Sequence, residues 1–227
     1  MLNHFQKHLP WVGGFAMFGV VLAVAMLAAS ADLKKDSEAQ LYKGDHMAGE
    51  IEILEPIVAF QNKYCTVYND KVLFPNGKER NYLRFTWNGP AGAVVLPVTE
   101  EHQVLLFKHF RHATREWALE VPRGLGKSGE DPLKTAQREL FEETGYMAKQ
   151  MIDLGVITPD SGILASKVSL YLALGCTKQE VASDPDENTI TGEILLPYDV
   201  VIQQALDGEI TDGFTNLVLF RAQKYLK

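Results

Sequence analysis

The sequence predicts an α/β protein with a mixed sheet packed between helices. Apolar segments of strand length follow one another from about residue 51 to residue 121, and a charged stretch of helical period at 124–146 interrupts them. Two further helical patterns, at about 198–206 and 214–226, close the chain, and no internal repeat appears. At 227 residues and 46% hydrophobic, the chain supplies one domain of ordinary size plus a short appendage. A net charge of -7 argues against a nucleic-acid partner held through phosphate contacts.

Residues 1–31 differ in composition from everything after them. Residues 11–30 carry no charge and are long enough to cross a bilayer as a helix. Read as a signal peptide, the run ends in Ala29-Ser30-Ala31, a small-residue cleavage pattern; read as an uncleaved anchor, it exceeds the usual signal core, and its length favours the anchor. Lys7 before it and Lys34 and Lys35 after it leave the orientation open. Residues 32–49 are polar and aperiodic and read as a linker, with Met47 an alternative start.

Residues 50–90 read as a small antiparallel β unit. Its clear hairpin joins 66–74 to 80–87 through Pro75-Asn76-Gly77-Lys78, a turn sequence between β-branched and aromatic runs. Such a unit buries little alone, so it is expected to lie on the main domain or on a second copy of the chain. Three more strands are expected at 91–98, 104–110 and 116–121. The segment 108–115 concentrates basic groups in an acidic protein, and Arg111 and Arg115 can meet phosphate oxygens with paired donors; the other reading is surface charge beside a strand end. His109 and His112 read as surface or packing residues. Cys65 and Cys176, far apart and without metal spacing, read as small buried hydrophobes.

The stretch 124–146 carries the chemistry. Asp131-Pro132 is a helix start, with an acid at the cap and proline at the first helical position, and Gly145 is the stop. On the helix between them, Leu133, Ala136 and Leu140 share one face, and Glu139, Glu142 and Glu143 cluster on a neighbouring one. Three like charges so placed repel by a few tenths of a kcal/mol per pair, and a divalent cation reverses that sign. Hard oxygen ligands suit Mg²⁺ or Mn²⁺, which share themselves with substrate phosphates. Arg138, four residues before Glu142, can orient that carboxylate, and the glycines of residues 124–129 let backbone approach a metal or phosphate.

Beyond the helix the sequence reads as a strand at 154–158, a loop from Pro159, a buried strand at 168–174, an acidic loop at 183–188 and a last strand at 193–196.

Gly124, five residues, Glu130, seven residues and then Arg138-Glu139-Leu140-Phe141-Glu142-Glu143-Thr144-Gly145-Tyr146 resembles the Nudix box without gap or substitution. The lead-in Leu119-Glu120-Val121-Pro122-Arg123-Gly124 and the late Gly208-Glu209-Ile210-Thr211-Asp212-Gly213 look most like the ADP-ribose pyrophosphatase group of that superfamily. The resemblance implies a Nudix-type α/β/α sandwich over residues 91–227, with residues 50–90 helping to form a homodimer. It implies Glu139, Glu142 and Glu143 as metal ligands, Glu130 as a supporting carboxylate, the backbone carbonyl of Arg123 in the inner shell, and two or three Mg²⁺ (or Mn²⁺) per site. A further acid, from Asp184, Asp186 or Glu187 with Glu187 favoured, would act as general base or metal ligand. Arginine at position 123 departs from the alanine common in the group; a backbone contact survives that change, while the shape or charge of the pocket wall is expected to differ. Trp87 or Tyr82 could stack on a purine, against the plainer reading of a core or interface aromatic.

The activity so implied is hydrolysis of a nucleoside diphosphate linked to X, with ADP-ribose going to AMP and ribose 5-phosphate. A nucleotide sugar, a dinucleotide or an oxidised nucleoside triphosphate is the alternative substrate. A nucleotide-sugar sensor would tolerate loss of the carboxylates, and all of them are present. The chain is expected to be membrane-anchored, with the cytoplasmic face favoured because ADP-ribose is chiefly an intracellular metabolite.

Overall fold

The computed structural model describes Gly44, residues 47–180 and residues 190–226. The expected anchor at 11–30 and the loop acids Asp184, Asp186 and Glu187 lie outside these. Among the described residues no helix is long and apolar enough to cross a membrane.

In chain order the elements are β1 (Glu52–Glu55), β2 (Val58–Gln61), β3 (Cys65–Leu73), β4 (Glu79–Trp87), β5 (Gly92–Thr99), β6 (Gln103–Arg111), β7 (Glu116–Glu120), β8 (Arg123–Gly124), α1 (Pro132–Thr144), β9 (Tyr146–Met147), β10 (Gln150–Ile157), β11 (Val168–Lys178), β12 (Ile190–Pro197), α2 (Tyr198–Leu206) and α3 (Gly213–Ala222). The first four strands form one sheet. The main sheet has the order β10-β11-β5-β6-β12, with β7 on β6, β8 on β5 and β9 on β11. It is mixed: β11 runs parallel to β5, while β10 with β11 and β12 with β6 are antiparallel.

The centre of this sheet explains the layers. Every residue of β5 is buried, so its alternating side chains need apolar cover on both sides. Val94, Leu96 and Val98 join a cluster with Val201 of α2 and Val218 and Leu219 of α3. Ala93 and Val95 face the other way, into a cluster with Ala136 and Leu140 of α1. The result is a sheet between α1 on one face and α2 and α3 on the other, as expected of the fold.

Several boundaries moved. A bulge between Leu174 and Cys176, at Gly175 with φ 64°, lets β11 run on to Lys178 rather than stop at 174. The strand expected at 154–158 begins at Gln150, the last strand spans Ile190–Pro197, and α3 ends at Ala222 rather than near 226. Cys176 is buried as expected, whereas Cys65 is only half-buried.

Contacts divide the chain into two compact units, Met1–Leu54 with Val72–Arg80 and Glu55–Lys71 with Asn81–Lys227. In the first, Gly77 adopts φ 78°, its N–H donates to the Phe74 carbonyl at 2.9 Å and Phe74 N–H donates to the Lys78 carbonyl at 3.0 Å, closing the Asn76-Gly77 hairpin turn. In the second, Val58, Phe60, Tyr82 and Leu83 are exposed on a single chain. All the carboxylates and arginines discussed below belong to this second unit.

Candidate active site

Helix α1 starts and stops where its sequence says. The Asp131 side chain accepts from Leu133 N–H at 2.8 Å, Pro132 opens the helix, and Gly145 in the left-handed region at φ 74° ends it with its N–H on the Phe141 carbonyl at 2.8 Å. Its buried face differs from the expected one. Leu133 is 37% exposed, while Thr135 is fully buried. At about 100° per residue the packed arc runs from Thr135 through Glu139, Glu143 and Ala136 to Leu140, and Leu133 falls just outside it. Two of the three carboxylates therefore lie within the packed face and not beside it.

Glycine makes that possible. A Cβ on Gly124 would sit 2.2 Å from the Glu139 carboxyl carbon, so the missing side chain is the space Glu139 occupies against β8. Glu143 is tied to the same strand, accepting the Arg123 peptide N–H on Oε2 at 3.0 Å. Burial pushes the Glu143 carboxyl up to about 8, and neighbouring Glu139 adds to the effect. Burial likewise raises Glu139, against the opposing pull of Arg138.

Arg138 binds the remaining acids. Its Nε and Nη2 donate to the two Glu130 oxygens at 3.0 Å each, and Nη1 donates to Glu139 Oε1 at 2.6 Å and Glu142 Oε2 at 2.8 Å. Nη2 also donates to the Leu125 carbonyl at 2.9 Å, which fixes the glycine loop to the helix. The bonds from Arg138, then the Lys127 N–H, hold Glu130 down to about 2, and Thr135 Oγ1 donates to it as well at 3.0 Å. Glu142 is the exposed member of the set, and Lys127 Nζ approaches it at 3.5 Å.

Among the described residues no three His, Cys, Asp or Glu side chains already converge on one ion position; the Arg138 guanidinium spans Glu139 and Glu142 instead. The donor set still fits a hard divalent cation. It offers oxygen ligands only, carries surplus negative charge, and is seated in a cradle that a single Cβ would fill.

A cleft of about 180 Å³ opens beside Glu143 and Thr144, bounded by Phe107, Lys178, Gly192 and Glu193. Its far wall is an ordered polar group: Tyr146 Oη donates to Glu193 Oε1 at 2.5 Å, and Lys178 Nζ bonds the other Glu193 oxygen. Burial works to raise Glu193, but Lys178 and Tyr146 hold it below its ordinary value.

A second arginine network lies next to the first. Glu120, 1% exposed, accepts from Arg111 Nε at 3.0 Å on both oxygens and from Arg123 Nη2 at 3.1 Å, while Arg123 Nη1 reaches Asp212 Oδ1 at 3.0 Å. Arg111 is thus bound within the protein on one side, its side chain 30% exposed on the other. Arg115 takes φ 62°, lies over the Phe110 ring at 5.0 Å and contacts His112 Nδ1 at 3.0 Å. Trp87 is 40% exposed, its ring edge-on to Phe85 at 4.8 Å, and its peptide N–H donates to Ser166 Oγ. So the expected residues gather around α1 and β8 except for Arg115 and Trp87, whose contacts are elsewhere, and the loop acids. Glu120 and Asp212 were missed as working residues. The signal for Glu120 was there: a carboxylate between Leu119 and Val121 in an apolar strand must have a cationic partner.

The family model for the NUDIX domain matches residues 88–212. The methanol dehydrogenase activator of Bacillus methanolicus is 32% identical over 158 residues, 69% of this chain and 83% of that protein. The ADP-ribose pyrophosphatase of Bacillus subtilis (strain 168) is 32% identical over 147 residues, 65% of this chain and 76% of that protein. A solved ADP compounds hydrolase superposes with a TM-score of 0.68 at 20% identity, covering 80% of this chain and 97% of that one, a likeness of fold. A box seated on a helix against a glycine strand, in a sheet of this order and with relatives of this extent, places the chain among the Nudix pyrophosphohydrolases, and it belongs to that family.

Proposed function

We propose that the chain hydrolyses a nucleoside diphosphate linked to a second group, with ADP-ribose as its substrate and AMP and ribose 5-phosphate as products. The observation that carries the reading is the surplus of carboxylates around Arg138 and Gly124, in a chain 32% identical to an ADP-ribose pyrophosphatase. Glu139, Glu142 and Glu143, with the Arg123 carbonyl, would hold Mg²⁺ or Mn²⁺, two or three per site. The cation supplies Lewis-acid polarisation of the diphosphate and neutralises charge developing on its oxygens.

The chain's own groups do the rest. Glu130 anchors Arg138, which keeps Glu139 and Glu142 apart and aimed. Arg111, fixed by Glu120 at one edge, offers its free edge to a phosphate oxygen. A loop carboxylate, Glu187 by preference over Asp184 and Asp186, takes the proton of the attacking water. The water oxygen bonds to one phosphorus, the bridging P–O bond breaks, and its electron pair leaves with the second phosphate.

Two further parts belong to the proposal. The exposed Val58, Phe60, Tyr82 and Leu83 support a homodimer built on the N-terminal strands, with Trp87 as a stacking residue for the base. Residues 11–30 support a single N-terminal membrane anchor, and the proposed intracellular substrate, not the flanking charges, favours the cytoplasmic face for the catalytic unit.

The test is AMP release from ADP-ribose with Mg²⁺ by the full chain, beside nucleotide sugars, dinucleotides and nucleoside triphosphates, with Glu143→Gln as control. Turnover of ADP-ribose that the variant loses supports the proposal. Binding of these ligands without any turnover sinks it in favour of a sensor, and preference for another panel member replaces the substrate.

A further inference from the structure

Strand β8 is only two residues long, and its pairing with β5 consists of Ala93 with Gly124 and Val94 with Arg123. Yet it carries both the N–H that Glu143 accepts and the glycine that makes room for Glu139. So short a strand needs support from elsewhere, and the side chain of Arg123 supplies it. Its guanidinium bonds Glu120 at 3.1 Å and Asp212 at 3.0 Å and lies over the Phe214 ring at 4.6 Å. Asp212 is itself fixed as the cap of α3, accepting from Thr215 N–H and Thr215 Oγ1 at 2.8 Å each. Fully buried Thr215 in turn accepts the Val121 N–H at 3.2 Å. Two lines therefore run from the start of α3 back to residues 121–123, one through Thr215 and one through Asp212.

We propose that Arg123 and Asp212 are positioning residues: clamped between Glu120 and the α3 cap, the Arg123 guanidinium holds β8 where its peptide N–H fixes Glu143. Neither side chain touches substrate. Asp212 lies at the end of the family match and Glu143 near the middle of it, and the arginine joins them across the sheet edge. A point charge on a flexible stem cannot span two carboxylates and stack on a ring at once, so lysine is a partial substitute. The proposal rests on Glu143 as a cation ligand, the reading given above.

The experiment compares full-length wild type with Asp212→Asn, Arg123→Ala and Arg123→Lys. Asparagine still caps a helix, so Asp212→Asn keeps the start of α3 while removing the charge that holds Arg123. Three quantities are read: Mn²⁺ affinity from the resonance signal of free Mn²⁺, kcat and KM on the best-turned-over panel substrate, and Tm. Expected for Asp212→Asn and Arg123→Ala are Mn²⁺ binding about tenfold weaker and kcat about tenfold lower with KM nearly unchanged, and Arg123→Lys recovers part of both. Wild-type Mn²⁺ affinity and kcat in both variants, with only Tm lowered, overturn the proposal. Weakened Mn²⁺ binding in variants of a wild type that turns over nothing upholds it, and the substrate reading alone falls.

Discussion

Arg138 and Arg123 each hold a group of carboxylates, and the two groups differ in charge. Around Arg138 its guanidinium and the exposed Lys127 face Glu130, Glu139 and Glu142, a surplus of one negative charge. Around Arg123 two guanidiniums, its own and that of Arg111, face Glu120 and Asp212 and balance them. The balanced group is closed around Glu120 and Asp212, and only the outer edge of Arg111 is left to meet a ligand. The unbalanced one, with buried Glu143 beside it, is stable only with a proton or a cation added. Surplus charge thus marks the reactive half of one continuous network, and balance marks its frame.

The sharpest way to break the comparison is to remove surplus charge. Glu143→Gln is expected to lower kcat by about a thousandfold, measured as AMP release, within the range for loss of one acid–base or metal-holding group. The same variant should melt higher than wild type without metal, since a buried carboxylate is replaced by a neutral amide.

Next in size is Gly124→Ala. The new Cβ would meet the Glu139 carboxylate at 2.2–2.3 Å, and because that is the far end of a side chain, the helix stays and the carboxylate moves. The Mg²⁺ concentration for half-maximal rate should rise about tenfold with little change in Tm.

Arg138→Ala removes the partner of three acids and should lower the metal-free Tm by about 5 °C in differential scanning fluorimetry. Saturating Mg²⁺ should restore part of that loss, because a cation replaces a cation. It should raise the Tm of Arg123→Ala by no more than that of wild type, since no bound cation replaces that guanidinium; equal rescue of both variants would erase the distinction between the two groups.

The smallest effect is in pH. The Glu143 carboxyl is raised from 4.5 to about 8 in the metal-free fold. A raised pKa means that its contribution to stability is fully present below about 4.5 and is lost as pH rises through 8. Metal-free wild type should therefore lose stability across that window while Glu143→Gln does not. Mg²⁺ binding at pH 7 should release a proton, seen as a dependence of calorimetric heat on the ionisation enthalpy of the buffer.

What the sequence disclosed and withheld follows the range of the forces involved. The ends of α1 were legible because Asp131, Pro132 and Gly145 act on their own backbone within a few residues. The β3–β4 hairpin was legible for the same reason through Asn76-Gly77. The rotation of α1 was not: whether Leu133 or Thr135 turns inward depends on the shape of β8, above all on the absence of a side chain at Gly124, and no periodicity count includes that. Strands of two residues such as β8 and β9 have no periodicity at all. The Arg123–Asp212 pair is further out of reach, since its members are 89 positions apart and meet only once the sheet has formed. An arginine at 123 is visible in the sequence as a departure, but its direction is a fact of three dimensions.

Helix α1 is fastened at both ends, by the Asp131 cap and by the left-handed Gly145, with 13 residues between them. Substitution within that span changes one side chain, whereas insertion or deletion of a single residue turns everything after it by about 100° and shifts it by about 1.5 Å. An added residue after Ala136 would carry Glu139 off the Gly124 cradle and Glu143 off the Arg123 N–H, and Glu142 with them, while leaving every ligand type intact. The span from Asp131 to Gly145 should therefore be far less tolerant of length change than of sequence change, so that a single-codon insertion scan of this gene would show a gap there bounded by the two caps.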